Sequence, residues 1–204
     1  MKIINTNDAN FKAEFEQILS RAKTDIKEVS SIVTQIIDEI IEHKNEALKT
    51  HIEKFDKGVV KSDEDLQIKP SAMKEAYDKL DTNLRSALHL AYDRIKAYHE
   101  KQLPKSWMDF EKNGTILGQK VTAVDRAGLY IPGGKAAYPS SLLMNAIPAI
   151  VAGVEEIVVC TPTPNNEPNE LLLAACHLCG ITKAYKVGGA SAIAAMAYGT
   201  QTIP

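Results

Sequence analysis

Cysteine is scarce, aromatic residues make up only 6%, and neither sign of charge dominates this chain of 204 residues. The three cysteines are Cys160, Cys176 and Cys179. An odd number, with no secretory signal in the polar, mixed residues 1–11, excludes a disulfide framework. A formal net charge of -2 supplies neither a basic field for nucleic acid nor a polybasic membrane anchor. The longest low-charge stretch, residues 138–154, is interrupted by prolines, serines and an asparagine. It falls short of the roughly 20 apolar residues that a membrane span needs. The histidines are His43, His51, His89, His99 and His177, and no two stand three or four apart on a helix, so no metal constellation is expected. His43 and His51 read as solvated helix residues. His89 and His99 are too far apart on one long helix to chelate together. The carboxylates fall in mixed-charge surface patterns, and nothing in the chain reads as a general base held by an orienting partner. What these exclusions leave is an ordinary soluble, cytoplasmic globular chain, 45% hydrophobic and 25% charged.

The first half is helical. Val29, Ile32, Val33, Ile36, Ile37, Ile40 and Ile41 recur at three- and four-residue steps, which predicts a helix with one apolar stripe. The pattern breaks near Lys44. Asn45 is placed to cap a second helix carrying Ala47, Leu48, Ile52 and Phe55. Residues 61–65 read as a loop. Ser71 is expected to cap a helix over Met73, Ala76, Tyr77 and Leu80. Asp81 is expected to cap a longer one with Leu84, Leu88, Ala91 and Ile95 on one face, ended by Pro104. Then the period changes. Asn113-Gly114 between two extended runs predicts a hairpin over residues 107–124.

The second half is α/β. Arg126-Ala127-Gly128-Leu129-Tyr130-Ile131 reads as a strand, followed by a glycine bend, a helix over 139–153 and a strand over 156–161. A helix over 168–179, a strand over 182–187 and a helix over 189–198 complete the pattern. The strands are short and apolar on both faces, as buried parallel strands are. Gly153, Gly180 and Gly199 each follow a helical run, as left-handed C-caps do, and Pro148 is expected to kink its helix. The fold class is therefore α/β: an N-terminal helical segment plus a β-hairpin, then an incomplete Rossmann-like parallel βαβαβα unit. The composition divides it into residues 1–125 and residues 126–204.

Ligands of open parallel sheets collect at the carboxyl ends of the strands. Two small-residue bends stand there, Gly133-Gly134 after the first strand and Gly188-Gly189-Ala190-Ser191 after the third. Ser140 and Ser141 add hydroxyls at a helix start. The spacing is not that of the usual pyrophosphate fingerprint, and a tight strand-to-helix turn explains each bend equally well. Right-handed connections would open both bends onto one crevice and bring Tyr130 near Ser191. Cys176-His177-Leu178-Cys179 has a zinc or redox spacing. It closes a helix rather than opening one and has no second ligand pair, so it reads as core packing.

Long strings carry a resemblance. Gly128-Leu129-Tyr130-Ile131-Pro132-Gly133-Gly134 is followed by Tyr138-Pro139-Ser140-Ser141-Leu142-Leu143-Met144-Asn145-Ala146-Ile147-Pro148-Ala149. Further on stand Val187-Gly188-Gly189-Ala190 and Ala197-Tyr198-Gly199-Thr200. Together with Asn45-Glu46-Ala47-Leu48 and Phe55-Asp56, they resemble the histidinol dehydrogenase family over nearly the whole chain. The resemblance implies an NAD- and zinc-dependent oxidoreductase of histidine biosynthesis that oxidises L-histidinol to L-histidine through the aldehyde. It implies two incomplete Rossmann-like domains and a homodimer with exchanged C-terminal segments. It implies cofactor contacts at Tyr130 and at position 191, where the family carries glutamine and this chain carries Ser191. The zinc ligands and the Glu-His acid/base pair match nothing here, so no catalytic residue and no metal ligand is assigned. The chain is thus expected to be the N-terminal part of such an enzyme, inactive alone, with an open sheet edge that favours self-association. The alternatives are a free-standing nucleotide-binding α/β module without catalysis, and an interaction protein that buries its helical stripe against a partner.

Overall fold

The computed structural model describes residues 3–20, 26–133 and 138–204. Its centre is a four-stranded sheet in the order β1-β6-β5-β4, formed by β1 (Gln67–Ile68), β4 (Arg126–Tyr130), β5 (Glu156–Thr161) and β6 (Lys183–Lys186). β4, β5 and β6 are parallel, and β1 adds to β6 antiparallel. Tyr130 stands opposite Cys160, and Thr161 opposite Lys186. The carboxyl ends of the three parallel strands therefore finish at one edge of the sheet.

Both faces of the sheet are covered, which is why the central positions of the strands are apolar. Val159 and Ala184 face a core built from α4 (Pro70–Asp78), α5 (Thr82–Glu100), α6 (Pro139–Ala152) and α7 (Glu170–Leu178). Val158, Cys160 and Tyr185 face the opposite core, with Ile40, Leu48, Ala192 and Ala195 from α2 (Ile26–His43), α3 (Asn45–His51) and α8 (Gly189–Tyr198). The helical first half thus packs directly on the sheet. A further helix, α1 (Phe11–Ser20), contributes no buried residue.

Local signals behave as their chemistry dictates, with corrections. The Asp81 carboxylate accepts from the amides of Asn83 at 2.9 Å and Leu84 at 3.0 Å, capping α5. Asn45 does not cap α3. Lys44 takes that place with φ 51°, and Asn45 lies buried inside the helix. Its Nδ2 donates to Asp63 at 2.8 Å and to Thr202 at 2.7 Å, long-range bonds that outweigh the local one. Ser71 does not cap α4 either, because Pro70 is already the first helical residue and its fixed φ starts the helix. Gly153 and Gly180 take positive φ as C-caps, with the Gly180 amide bonded to the His177 carbonyl at 2.9 Å. Gly199 also has positive φ, 67°, but its ψ of 153° takes it out of the left-handed helical region. Pro148 lies inside α6, as expected.

Two departures bear on what the surface does. The stripe of α2 is buried only at its end: Ile40 is inaccessible, while Val29, Ile32 and Ile41 are exposed. The hairpin of β2 (Trp107–Phe110) and β3 (Ile116–Gln119) forms as the Asn113-Gly114 turn predicts, and every one of its strand residues is exposed. The far side of β6 is closed by β1, a strand that no periodicity announces, whereas β4 has a strand on one side only. No helix among the described residues is long and apolar enough to cross a membrane.

Candidate functional site

The loops that follow β4, β5 and β6 enclose a cleft of about 390 Å³, within the range typical of small-ligand sites. Tyr130 and Gly133 come from the end of β4, Pro162 from the end of β5, and Gly188, Gly189 and Ser191 from the end of β6 and the start of α8. Ile36 of α2, with His51, Ile52 and Phe55 of the α3 region, closes the other side. The two small-residue bends therefore do open onto one crevice, and Tyr130 and Ser191 both line it. Ser140 and Ser141, at the start of α6, are not among its lining residues, and Gly134 lies outside the described residues.

Glycine is required at these bends by close approach. A Cβ on Gly133 would fall 2.9 Å from the Pro162 carbonyl oxygen. Gly189 is different. It holds φ +61°, and its missing Cβ would meet nothing within 4 Å, so the backbone there faces open space. The first amides of α8 follow at once. Such amides have no intrahelical acceptor and attract anionic groups. Tyr130 is half-buried, with one side packed on the core beneath. At the end of β5 the hydroxyls of Thr161 and Thr163 are buried without a protein partner.

The polar wall of the cleft contradicts two expectations. His51 is not a solvated helix residue: it is 4% exposed. It is also held by an orienting partner. Its Nε2 lies 2.6 Å from Oε2 of Glu39, and its Nδ1 lies 2.9 Å from Oγ of Ser191. The Glu39 carboxyl is held below its ordinary range, first by the hydrogen bond to His51 and then by the amide of Gln35. The signal was present in the sequence. His51 stands four residues after Ala47 and three after Leu48, on the same inward face of α3. Asp56, also in the lining, has its carboxyl pushed up by burial, opposed by a hydrogen bond from the Thr163 amide.

The other candidates stay outside the cleft. Cys176 and Cys179 are buried in the core, and burial pushes each thiol up to about 12. His89 bonds Tyr77 at 2.8 Å and His99 bonds Gln102 at 2.6 Å. Among the described residues no three His, Cys, Asp or Glu side chains are grouped so as to hold a metal ion.

Known proteins resemble this chain along almost all of its length. A family described as histidinol dehydrogenase matches residues 19–204. The histidinol dehydrogenase of Sulfurimonas denitrificans is 69% identical over 204 residues, covering 100% of this chain and 47% of that protein. That of Wolinella succinogenes is 64% identical over 203 residues, again covering 100% of this chain and 47% of the relative. The crystal structure of histidinol dehydrogenase from Elizabethkingia anophelis superposes with a TM-score of 0.80 at 30% identity, covering 86% of this chain and 40% of that one. The chain spans about half the length of the curated relatives it matches.

Proposed function

Because this chain belongs to the histidinol dehydrogenase family, we propose that its cleft is the NAD site of an oxidoreductase that converts L-histidinol to L-histidine by way of the aldehyde. The observation that carries this reading is the convergence of Tyr130, Ser191 and two small-residue bends on one cleft at the carboxyl ends of β4 and β6. NAD, when bound, supplies the hydride acceptor. The chain's own residues supply the seat. The α8 amides favour the negative charge of the phosphates. The open backbone at Gly189 admits close approach. The ring of Tyr130 offers a flat wall, and Ile36, Ile52 and Phe55 keep water from the apolar side. In this reading residues 126–204 are the cofactor unit and residues 1–125 provide its outer wall.

Zinc is implied by the resemblance, but the described residues offer no ligand group for it, so zinc has no seat in this cleft. The resemblance matches the Glu-His acid/base pair to no residue of this chain, so in this reading the chain holds the cofactor and does not by itself turn over substrate. We place the protein in the cytoplasm and read its partner as a second copy, through the exposed apolar hairpin of β2 and β3. A second reading is a free-standing nucleotide-binding module without catalysis.

Calorimetric titration tests the site. NAD is expected to bind saturably, and Tyr130→Ala to weaken it by about ten-fold, the loss of one aromatic stacking contact. Absence of saturable binding contradicts both readings. NADH formation from histidinol by this chain alone separates them: the enzyme reading expects none until the rest of a histidinol dehydrogenase is supplied, and the module reading expects none under any condition.

A further inference from the structure

Four side chains from three helices form one hydrogen-bonded row behind the cleft. Gln35 Nε2 donates to Oε1 of Glu39 at 2.8 Å, Oε2 of Glu39 meets Nε2 of His51 at 2.6 Å, and Nδ1 of His51 meets Oγ of Ser191 at 2.9 Å. With the His51 ring neutral, the chemistry of these groups sets the direction of every bond. An ionised carboxylate only accepts, so the proton of the second bond sits on Nε2 of His51. A neutral imidazole has one proton, which leaves Nδ1 bare and accepting. The Ser191 hydroxyl must then donate its single proton to Nδ1. What remains of Ser191 toward the cleft is lone pairs. Ser191 is 3% exposed and His51 is 4% exposed, so water does not compete freely for either bond.

We propose that Glu39 and His51 are positioning residues that turn Ser191 into a pure hydrogen-bond acceptor, so that the ligand group seated against Ser191 is a donor, an amide N–H or a sugar hydroxyl, and not an anionic oxygen. The ligand half of this inference rests on the nucleotide reading of the cleft. Within a dinucleotide it assigns Ser191 to the carboxamide or a ribose hydroxyl and leaves the phosphates to the α8 amides. A glutamine amide donates and accepts without help, whereas a serine has one proton and needs it committed elsewhere to present a fixed polarity.

The groups around this row are Glu39 from α2, Lys54 and Asp56 from the turn after α3, and Tyr130 from β4, while α8 contributes the backbone amides of its first turn. Glu39 stays ionised across the neutral range, because its hydrogen bonds to His51 and Gln35 hold its carboxyl low.

Two measurements on the whole chain test the inference. The first is the nitrogen-15 NMR spectrum of the His51 ring at pH 7.5. The expected result is a neutral ring with the proton on Nε2 and a bare Nδ1. Glu39→Gln, whose amide can donate to Nε2, is expected to shift the tautomer toward Nδ1–H. The Glu39 side chain is 38% exposed, so this variant is expected to fold. A wild-type ring protonated on Nδ1, or on both nitrogens, overturns the inference whatever the cofactor does. The second is titration with NAD. Glu39→Gln is expected to weaken binding about three- to ten-fold, the scale of one hydrogen bond, and Ser191→Gln in that background to restore it. Equal affinity in wild type and Glu39→Gln overturns the inference but leaves the cofactor reading standing. No saturable binding by the wild type defeats the cofactor reading and the ligand half together, with the ring spectrum still deciding the row itself.

Discussion

Gly188 stands so close to Pro162 that a Cβ at position 188 would lie 2.6 Å from the proline's Cβ. Both atoms belong to stiff groups, a strand-to-helix bend and a pyrrolidine ring, so neither can swing aside. The contact ties the end of β6 to the end of β5 and sets the width of the cleft between them. Gly188→Ala is therefore expected to destabilise the protein by about 1–3 kcal/mol, the usual cost of overpacking, and to lower its affinity for NAD. Thermal melting with parallel titration checks this. An unchanged melting temperature contradicts the close approach.

Asp56 makes a prediction with a definite sign. Burial raises its carboxyl in the folded protein, so folding disfavours its charged form. The resulting penalty is present at neutral pH. It disappears as the pH falls below the ordinary carboxylate range, where the group is protonated in both folded and unfolded states. Asp56→Asn keeps an acceptor for the Thr163 amide and removes the charge. It is expected to melt higher than wild type at pH 7.5 and at the same temperature near pH 3.

The three thiols are all buried, and burial pushes each of them up to about 12. Thiolate is the reactive form. Ellman's reagent at pH 8 is therefore expected to label almost no thiol in the folded chain and three per chain in denaturant. Fast labelling of Cys176 or Cys179 under native conditions contradicts their assignment to core packing.

The hairpin leaves Trp107, Met108, Phe110, Ile116 and Leu117 all more than half exposed. Apolar surface displayed so openly marks a contact face. The chain, 22.3 kDa as a monomer, is expected to sediment as a larger species at micromolar concentration. Trp107→Ser combined with Phe110→Ser is expected to shift it toward the monomer. A single monomeric boundary for the wild type contradicts this.

Local chemistry made much of this architecture legible in the sequence. The strands at Arg126 and Ile157 were announced by apolar runs, and the helix between them ends at Gly153, which takes positive φ. Asp81 capped the helix its position promised. What escaped the sequence depends on distant partners. β1 is two residues long and exists only because Gln67 and Ile68 pair with Tyr185 and Ala184. Asn45 has a capping residue's chemistry, but its amide is used by Thr202, 157 positions away. His51 shares the inward face of Ala47 and Leu48, but the partner it meets, Ser191, stands 140 residues away. Half of the site, Tyr130 and the glycine bends, was thus visible in the strings. The Glu39–His51 half required α2, α3 and α8 to meet.

The central claim, that a dinucleotide sits between Tyr130 and Ser191, is tested most directly by a crystal structure of this chain grown with NAD. The account predicts nucleotide density in that cleft, phosphates toward Gly188 and Gly189 and a donor group within hydrogen-bonding distance of the Ser191 Oγ. Density for NAD elsewhere on the chain, with Tyr130 and Ser191 untouched, would contradict it.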